Sequence, residues 1–138
     1  MQLESLCPLL QVYDMPTSIT FYRDVLGFEI VSTSRPGIDV GWAWLRSGSA
    51  EVMLNTAYDE GTRPPAPDPA RLAAHADTIL YIGCPDVDAA YTCLRSRGIN
   101  LDPPVVASYG MKQLYVTDPD GFGVCFQWRT GGTTVGGG

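Results

Sequence analysis

The side chains best suited to metal binding or nucleophilic chemistry are one histidine, His75, and four cysteines: Cys7, Cys84, Cys93 and Cys125. The cysteines are scattered and lack the CxxC spacing of zinc fingers and redox motifs. Cysteines that are scattered in this way are usually reduced thiols, and reduced thiols are typical of cytoplasmic proteins. We therefore predict a cytoplasmic protein. Their spacing alone therefore indicates no metal-finger site.

Trp42 and Trp44 are the side chains best suited to holding an aromatic ligand. Alternate residues of a strand point to the same side, so the two rings would share one face. They would form a stacking platform, unless Trp44 simply packs in the core. Either role requires a sheet, and an internal repeat indicates the elements that build it.

The chain repeats itself, because residues 14–27 return as residues 86–98. Asp14 matches Asp86 at an offset of 72 positions, and an arginine within each copy keeps the same offset. An internal repeat predicts two similar modules related by a pseudo-twofold axis, with pockets between them. A binding site would then be a set of paired positions, one from each module.

Each half of the chain predicts a strand, a helix and three further strands. In the first module, residues 5–57, strands are expected near 7–13, 28–34, 40–45 and 50–56, with a helix over 17–26. In the second module, residues 76–130, strands are expected near 78–82, 105–108, 111–117 and 123–128, with a helix over 85–97. Residues 58–75 are Pro-rich and predict a linker that ends in a short helix near 69–74. The Gly/Thr-rich residues 131–138 predict a disordered tail.

Composition argues against several partners. The chain has 138 residues and a formal net charge of −6, with no cluster of lysines or arginines. Such a surface repels phosphate groups, so neither nucleic acid nor an anionic membrane is an expected partner. No apolar run approaches the roughly 20 residues that span a membrane, and the first residues lack the pattern of a signal peptide.

Three stretches carry a family resemblance: Val12 to Phe28, with its V-x-D, F-Y and L-G-F signals, then Asp86 to Gly98, then the hairpin turn Asp118-Pro-Asp-Gly121. In this order they resemble the vicinal oxygen chelate superfamily, which includes glyoxalase I, extradiol dioxygenases, fosfomycin-resistance enzymes and bleomycin-resistance proteins. The resemblance implies an α+β fold with one domain over residues 1–130, in which two βαβββ modules form curved mixed sheets around a cavity. Such chains commonly dimerise, so a homodimer is expected.

The resemblance also implies where metal-using members carry their ligands, and those positions are here Cys7, Glu51, Ile79 and Cys125. Such members use His, Gln or Glu there, so only Glu51 matches. His75 lies four residues before Ile79, about 13 Å along an extended strand, which is too far to replace it. We therefore predict no metal cofactor. The alternative is a divalent metal such as zinc on Cys7, Glu51 and Cys125.

Strand alternation from these positions predicts the side chains that line the ligand site. They are Leu9, Gln11, Trp42, Trp44, Met53, Asn55, Tyr81, Tyr115 and Gln127. Residues 111–117 leave two alternatives open, since either Gln113 and Tyr115 or Lys112 and Leu114 would face inward. The wall is apolar and aromatic with a few polar groups, which is the usual composition of a small-molecule pocket.

Glu51 would be costly to bury unpaired in this wall. It would pair with Lys112 or Arg46, bind a cationic group, act as an acid or base, or remain in water.

One predicted function is a binding protein, similar to the bleomycin-resistance branch, that holds a small aromatic molecule, favouring a cationic one, in a metal-free cavity. The other is a lyase, isomerase or dioxygenase-like enzyme with an altered site that uses Glu51. No residue supplies the electrophile that such chemistry needs, which favours binding.

Overall fold

A computed structural model describes residues 1–131 of the chain, which form two compact units, Met1–Arg71 and the part that begins at Leu72. The predicted disordered tail, residues 131–138, lies outside the described residues except for Gly131. Within residues 1–131, no helix is long and apolar enough to cross a membrane.

The first unit contains a four-stranded mixed sheet. Its elements are β1 (Leu9–Val12), α1 (Met15–Thr20), a π-helical turn (Phe21–Val25), β2 (Glu29–Thr33), β3 (Trp42–Ser47) and β4 (Ala50–Thr56). The strand order is β1-β4-β3-β2, in which β1 runs parallel to β4 and the other pairs are antiparallel. A short helix, α2 (Pro69–His75), lies where the sequence predicts one, and the second unit begins within it, at Leu72.

The second unit repeats this plan. Its elements are β5 (Ile79–Gly83), α3 (Val87–Ser96), β6 (Val105–Val106), β7 (Met111–Thr117) and β8 (Gly123–Arg129). The strand order is β5-β8-β7-β6, and β5 runs parallel to β8. The predicted βαβββ repeat is therefore confirmed. β6 is shorter than predicted because the backbone N–H of Gly110 bonds to the carbonyl of Ala107, which closes a turn directly after the strand.

One face of each sheet forms a hydrophobic core. In the first unit the strands alternate between buried and more exposed positions, and Val12, Leu45 and Leu54 are buried on the side where α1 packs against β4. In the second unit α3 packs against β7 and β8, whose Leu114 and Val124 are buried. The period-two alternation leaves the opposite face of each sheet for a ligand site.

His75 ends α2 and packs against the hairpin between β7 and β8. Its ring stacks on Phe122 with the centroids 4.0 Å apart, and its Nδ1 lies 2.6 Å from the carbonyl oxygen of Asp120. β5 begins only at Ile79, so the strand does not extend to His75. The only histidine of the chain therefore joins α2 to the hairpin and does not share a strand face with Ile79.

Both repeat helices begin at an aspartate that caps the first turn. The carboxylate of Asp14 accepts a hydrogen bond from the backbone N–H of Thr17 at 3.1 Å, and Asp86 caps α3 in the same way at 2.9 Å. Asp14 also forms an ion pair with Arg63, whereas no ion pair in the described chain involves Asp86. Burial raises the pKa of Asp14, but the hydrogen bonds from Thr17 and Arg63 outweigh it, so the pKa is lowered overall.

Asp14→Ala is expected to lower the free energy of unfolding at neutral pH by about 1–2 kcal/mol, because it removes a cap and an exposed ion pair. Asp86→Ala, which removes only a cap, should cost about 1 kcal/mol. The pKa of Asp14 is lower in the folded chain than in the unfolded chain, so its carboxylate stabilises the fold at every pH above the pKa of the unfolded chain. This stabilisation is lost as the pH falls through the pKa of the folded chain, which lies below 3.8. Urea unfolding at neutral and at acid pH measures both effects. Equal losses for the two variants at neutral pH would contradict a contribution from Arg63.

Candidate functional site

The open face of the first sheet carries most of the predicted ligand-binding residues. We call it the tryptophan face, and its exposed or half-exposed residues are Cys7, Leu9, Gln11, Trp42, Trp44, Glu51, Met53 and Asn55. The strand register aligns Trp44 with Met53 and Met53 with Leu9, in one row across three strands. In the next row Asn55 Nδ2 donates a hydrogen bond to Gln11 Oε1 at 3.2 Å. Trp44 therefore lies on the open face and not in the core.

Glu51 is held on this face by a tryptophan instead of a cation. The indole Nε1 of Trp44 donates a hydrogen bond to Glu51 Oε1 at 3.0 Å. Arg46 is the register partner of Glu51, but its guanidinium lies over the Trp44 ring, 5.8 Å from the centroid. Lys112 pairs with Asp88 at 2.6 Å. Neither pairing suggested by the sequence is therefore present, and in residues 1–131 Glu51 takes part in no ion pair.

The Cys7 thiol also belongs to the tryptophan face, and it is influenced by Glu51. Burial raises the pKa of the Cys7 thiol, and the negative charge of Glu51 raises it further. The thiolate is the form that attacks electrophiles and binds metals. Cys7 therefore stays protonated near neutral pH and is not an activated nucleophile.

The open face of the second sheet carries tyrosines and amides. We call it the tyrosine face, and its residues are Tyr81, Tyr109, Gln113, Tyr115, Cys125 and Gln127. The register places Tyr81, Cys125 and Tyr115 in one row across three strands. Gln113 and Tyr115 thus share the face of Cys125, whereas Lys112 reaches an aspartate of α3. The structure selects the first of the two alternatives for β7.

Two tyrosines close over Cys125. Tyr81 and Tyr115 stand on the strands on either side of it, so their backbones are about 10 Å apart, yet their hydroxyl oxygens are only 3.3 Å apart. Both side chains must lean over the middle strand, which explains why Cys125 is 0% exposed. The hydrogen bond with Tyr81, together with burial and the Cys125 contact, raises the pKa of Tyr115, and burial raises the pKa of Cys125. Tyr115 and Cys125 therefore stay protonated near neutral pH.

The residues at the four metal-ligand positions do not fit a metal ion. Ile79 has no donor atom, and the Cys125 thiol is fully buried beneath two tyrosines. Within the part of the chain that the structure describes, no group of three or more His, Cys, Asp or Glu side chains is placed to hold a metal. All four cysteines lie in that part and are free thiols.

Sequence reasoning missed Tyr109 and left Gln113 undecided. Tyr109 lies in the turn before β7, where no strand alternation assigns a face, and only its hydrogen bond with Gln113 places it on the tyrosine face. Gln113 carried only a weak signal, because the neighbouring Lys112 is polar as well. Its role depends on partners that alternation does not predict.

The sequence of residues 5–126 matches the family model of the Glyoxalase/Bleomycin resistance protein/Dioxygenase superfamily. The chain belongs to this superfamily. The match extends into both units, and it confirms the resemblance to vicinal oxygen chelate proteins. A sequence search of curated proteins finds no match.

Solved structures similar to this superfamily member share its fold. TioX from Micromonospora sp. ML1 has a TM-score of 0.72 at 18% identity, over 91% of this chain and 98% of TioX. TnmS3, an antibiotic-binding protein from Streptomyces sp. CB03234, has a TM-score of 0.67 at 23% identity, over 94% and 98% of the two chains. The bleomycin-binding protein from bleomycin-producing Streptomyces verticillus, solved with copper(II)-bleomycin, has a TM-score of 0.66 at 22% identity, over 91% and 96%. At these identities the likeness establishes the fold alone.

Proposed function

We propose that this superfamily member binds a small aromatic cation on its tryptophan face, without a metal cofactor. The observation that carries the proposal is Glu51, a half-buried carboxylate that accepts a hydrogen bond from Trp44 and has no basic partner in the described residues. A cation that displaces the Arg46 guanidinium from the Trp44 ring and approaches the second oxygen of Glu51 supplies the positive charge that no ion pair of the described residues supplies.

Three further features favour a cationic ligand. The indole of Trp44 fixes one oxygen of Glu51, so the carboxylate is already positioned and loses less conformational freedom on binding. An aromatic ring attracts a cation by about 0.5–2 kcal/mol, depending on how far the pair is shielded from water. The net charge of −6 also attracts cations from solution.

The structural neighbours support a small-molecule ligand. TnmS3 is described as antibiotic-binding and the Streptomyces verticillus protein as bleomycin-binding. The homodimer and the cytoplasmic location that the sequence predicts belong to the same proposal. Sedimentation analysis of the purified protein tests the dimer.

The alternative function, an enzyme that uses Glu51 as a base with a thiol partner, has less support. The raised pKa of Cys7 keeps its thiol protonated. The residues at the metal-ligand positions do not fit a metal that would stabilise a developing negative charge. Binding therefore accounts for more of the site than catalysis does.

N-methylquinolinium is a suitable probe, because it is a flat aromatic cation and quinoline is its uncharged counterpart at neutral pH. In calorimetric titrations the cation is expected to bind at least about tenfold more tightly than quinoline. Glu51→Gln should remove most of this preference, because it keeps the size of the side chain and an acceptor for Trp44 but removes the charge. Glu60→Gln, the same change at an exposed position, should keep it.

NMR adds a local readout to the same titration. The indole N–H resonance of Trp44 should move with the cationic probe, because this group is bonded to Glu51. Equal affinity for the cation and quinoline, or an unchanged preference in Glu51→Gln, would overturn the proposal. Dialysis against a chelator should leave binding unchanged, and loss of binding would refute the metal-free part.

A further inference from the structure

An arginine of the chain itself covers the tryptophan ring of the proposed binding site. Trp44 and Arg46 are two positions apart on β3, so both side chains lie on the tryptophan face. The Arg46 guanidinium lies 5.8 Å from the centroid of the Trp44 ring, a distance at which the indole attracts a cation. Arg46 thus makes the same kind of contact with Trp44 that the aromatic cation makes in the proposed function.

Arg46 also has a carboxylate within reach on each neighbouring strand. The register aligns it with Glu29 on β2 and with Glu51 on β4, so the three side chains form one row on the same face. Directly opposite residues of antiparallel strands have Cβ atoms about 4.5–5.5 Å apart, a gap that an arginine side chain spans. Within residues 1–131, however, none of the three takes part in an ion pair. Glu29 is exposed, and it can therefore accept a guanidinium that leaves the ring.

We propose that Arg46 is an internal competitor for the ligand: it covers Trp44 in the free protein, and its guanidinium moves to Glu29 when the ligand binds. This role of Arg46 rests on the proposed function, because it concerns the same face and the same ligand. A cation–π contact and an ion pair have similar strengths when both are exposed, so the move costs little free energy. The ligand then occupies the Trp44 ring and approaches the second oxygen of Glu51.

A site that its own arginine covers binds less tightly than the bare site. The apparent dissociation constant rises in proportion as the uncovered fraction falls. The attraction of an exposed cation to an aromatic ring makes the covered state about two- to fivefold more populated than the uncovered one. Arg46→Gln removes the guanidinium, and it is therefore expected to lower the Kd of quinoline about three- to sixfold. The Kd of N-methylquinolinium should fall further, because a like charge is also removed.

The uncharged probe separates displacement from charge repulsion. Repulsion alone would leave the affinity for quinoline unchanged in Arg46→Gln, since quinoline is neutral at neutral pH. Arg95→Gln is the matched control, because it removes the same charge from a guanidinium that lies 5.6 Å from the centroid of the Tyr91 ring on α3. It should leave the affinity for quinoline unchanged. Circular dichroism confirms that each variant is folded before calorimetric titration.

Glu29→Gln tests where the guanidinium goes. It is expected to weaken the binding of quinoline about twofold, because the displaced Arg46 loses its ionic partner. In the Arg46→Gln background the same change should have no effect, since no guanidinium remains to be displaced. NMR follows the arginine directly. The Arg46 Nε–H proton should resonate upfield in the free protein, owing to the ring current of Trp44, and should move downfield when quinoline saturates the site.

Unchanged affinity of Arg46→Gln for quinoline would overturn this role of Arg46. Weaker binding would also overturn it, because the guanidinium would then hold the ligand instead of giving way to it. The proposed function is judged separately, by the cation preference and its loss in Glu51→Gln. That loss, without a gain in Arg46→Gln, would refute only the role of Arg46. A gain for both probes without any cation preference would refute only the proposed function, and no binding by any variant would refute both.

Discussion

Gly121→Ala is expected to lower the free energy of unfolding by about 3 kcal/mol, whereas Gly27→Ala should cost about 1–2 kcal/mol. The two glycines have nearly the same backbone conformation, with φ of +89° and +88°, so both variants carry the penalty of a left-handed residue. Their surroundings differ. A Cβ on Gly121 would lie 2.5 Å from the carbonyl oxygen of Leu72, while one on Gly27 would meet no atom within 4 Å.

The extra cost at Gly121 arises because the neighbouring atom belongs to the backbone of α2 and cannot rotate away as a side chain would. The hairpin and the helix must separate, which should also loosen the stack of His75 on Phe122. Urea unfolding of the two variants gives the difference directly. Equal losses would show that the positive φ alone, and not the approach of Leu72, requires glycine here.

Asp118→Ala is expected to cost about 2–4 kcal/mol of unfolding free energy, and Asp118→Asn considerably less. The side chain is buried, and its Oδ1 accepts hydrogen bonds from the backbone N–H groups of Asp120 at 2.8 Å and Phe122 at 2.9 Å. Alanine removes the acceptor for both donors, which lie in a buried turn. Asparagine keeps an oxygen in the same place, so the hairpin that leads into β8 should persist.

Thermal or urea unfolding of the two Asp118 variants separates the hydrogen bonds from the charge. An alanine variant as stable as the asparagine variant would show that the two backbone bonds contribute little. An asparagine variant as unstable as alanine would assign the effect to the negative charge. The expected order is wild type, then asparagine, then alanine.

Local signals explain why the elements were predictable. Asp14 and Asp86 cap their helices, and the glycines that follow, Gly27 and Gly98, have φ of +88° and +83°. Each signal acts within one turn of helix or one strand, so it can be recognised without knowing what packs nearby. The strand bounds agree with prediction to within two residues for the same reason.

The alternation of side chains along each strand was also sufficient to predict which residues lie on the tryptophan face, because side-chain direction in a strand has a period of two. It was not sufficient to predict their partners. Glu51 bonds to Trp44, while the two cations suggested by the sequence, Lys112 and Arg46, bind elsewhere. A hydrogen bond between neighbouring strands depends on register and rotamer, which the period does not specify.

By itself, the sequence determined two modules with the same order of elements, the faces on which Glu51, Trp42 and Trp44 lie, and the mismatch of three of the four metal-ligand positions. Only the tertiary structure decided that Tyr81 and Tyr115 cover Cys125, that Gln113 bonds to Tyr109, Tyr115 and Gln127, and that Leu72 closes on Gly121. Most of these contacts join segments far apart in the chain. Their formation depends on strand register and on distances of a few ångströms, for which the composition and spacing of one sequence carry no signal.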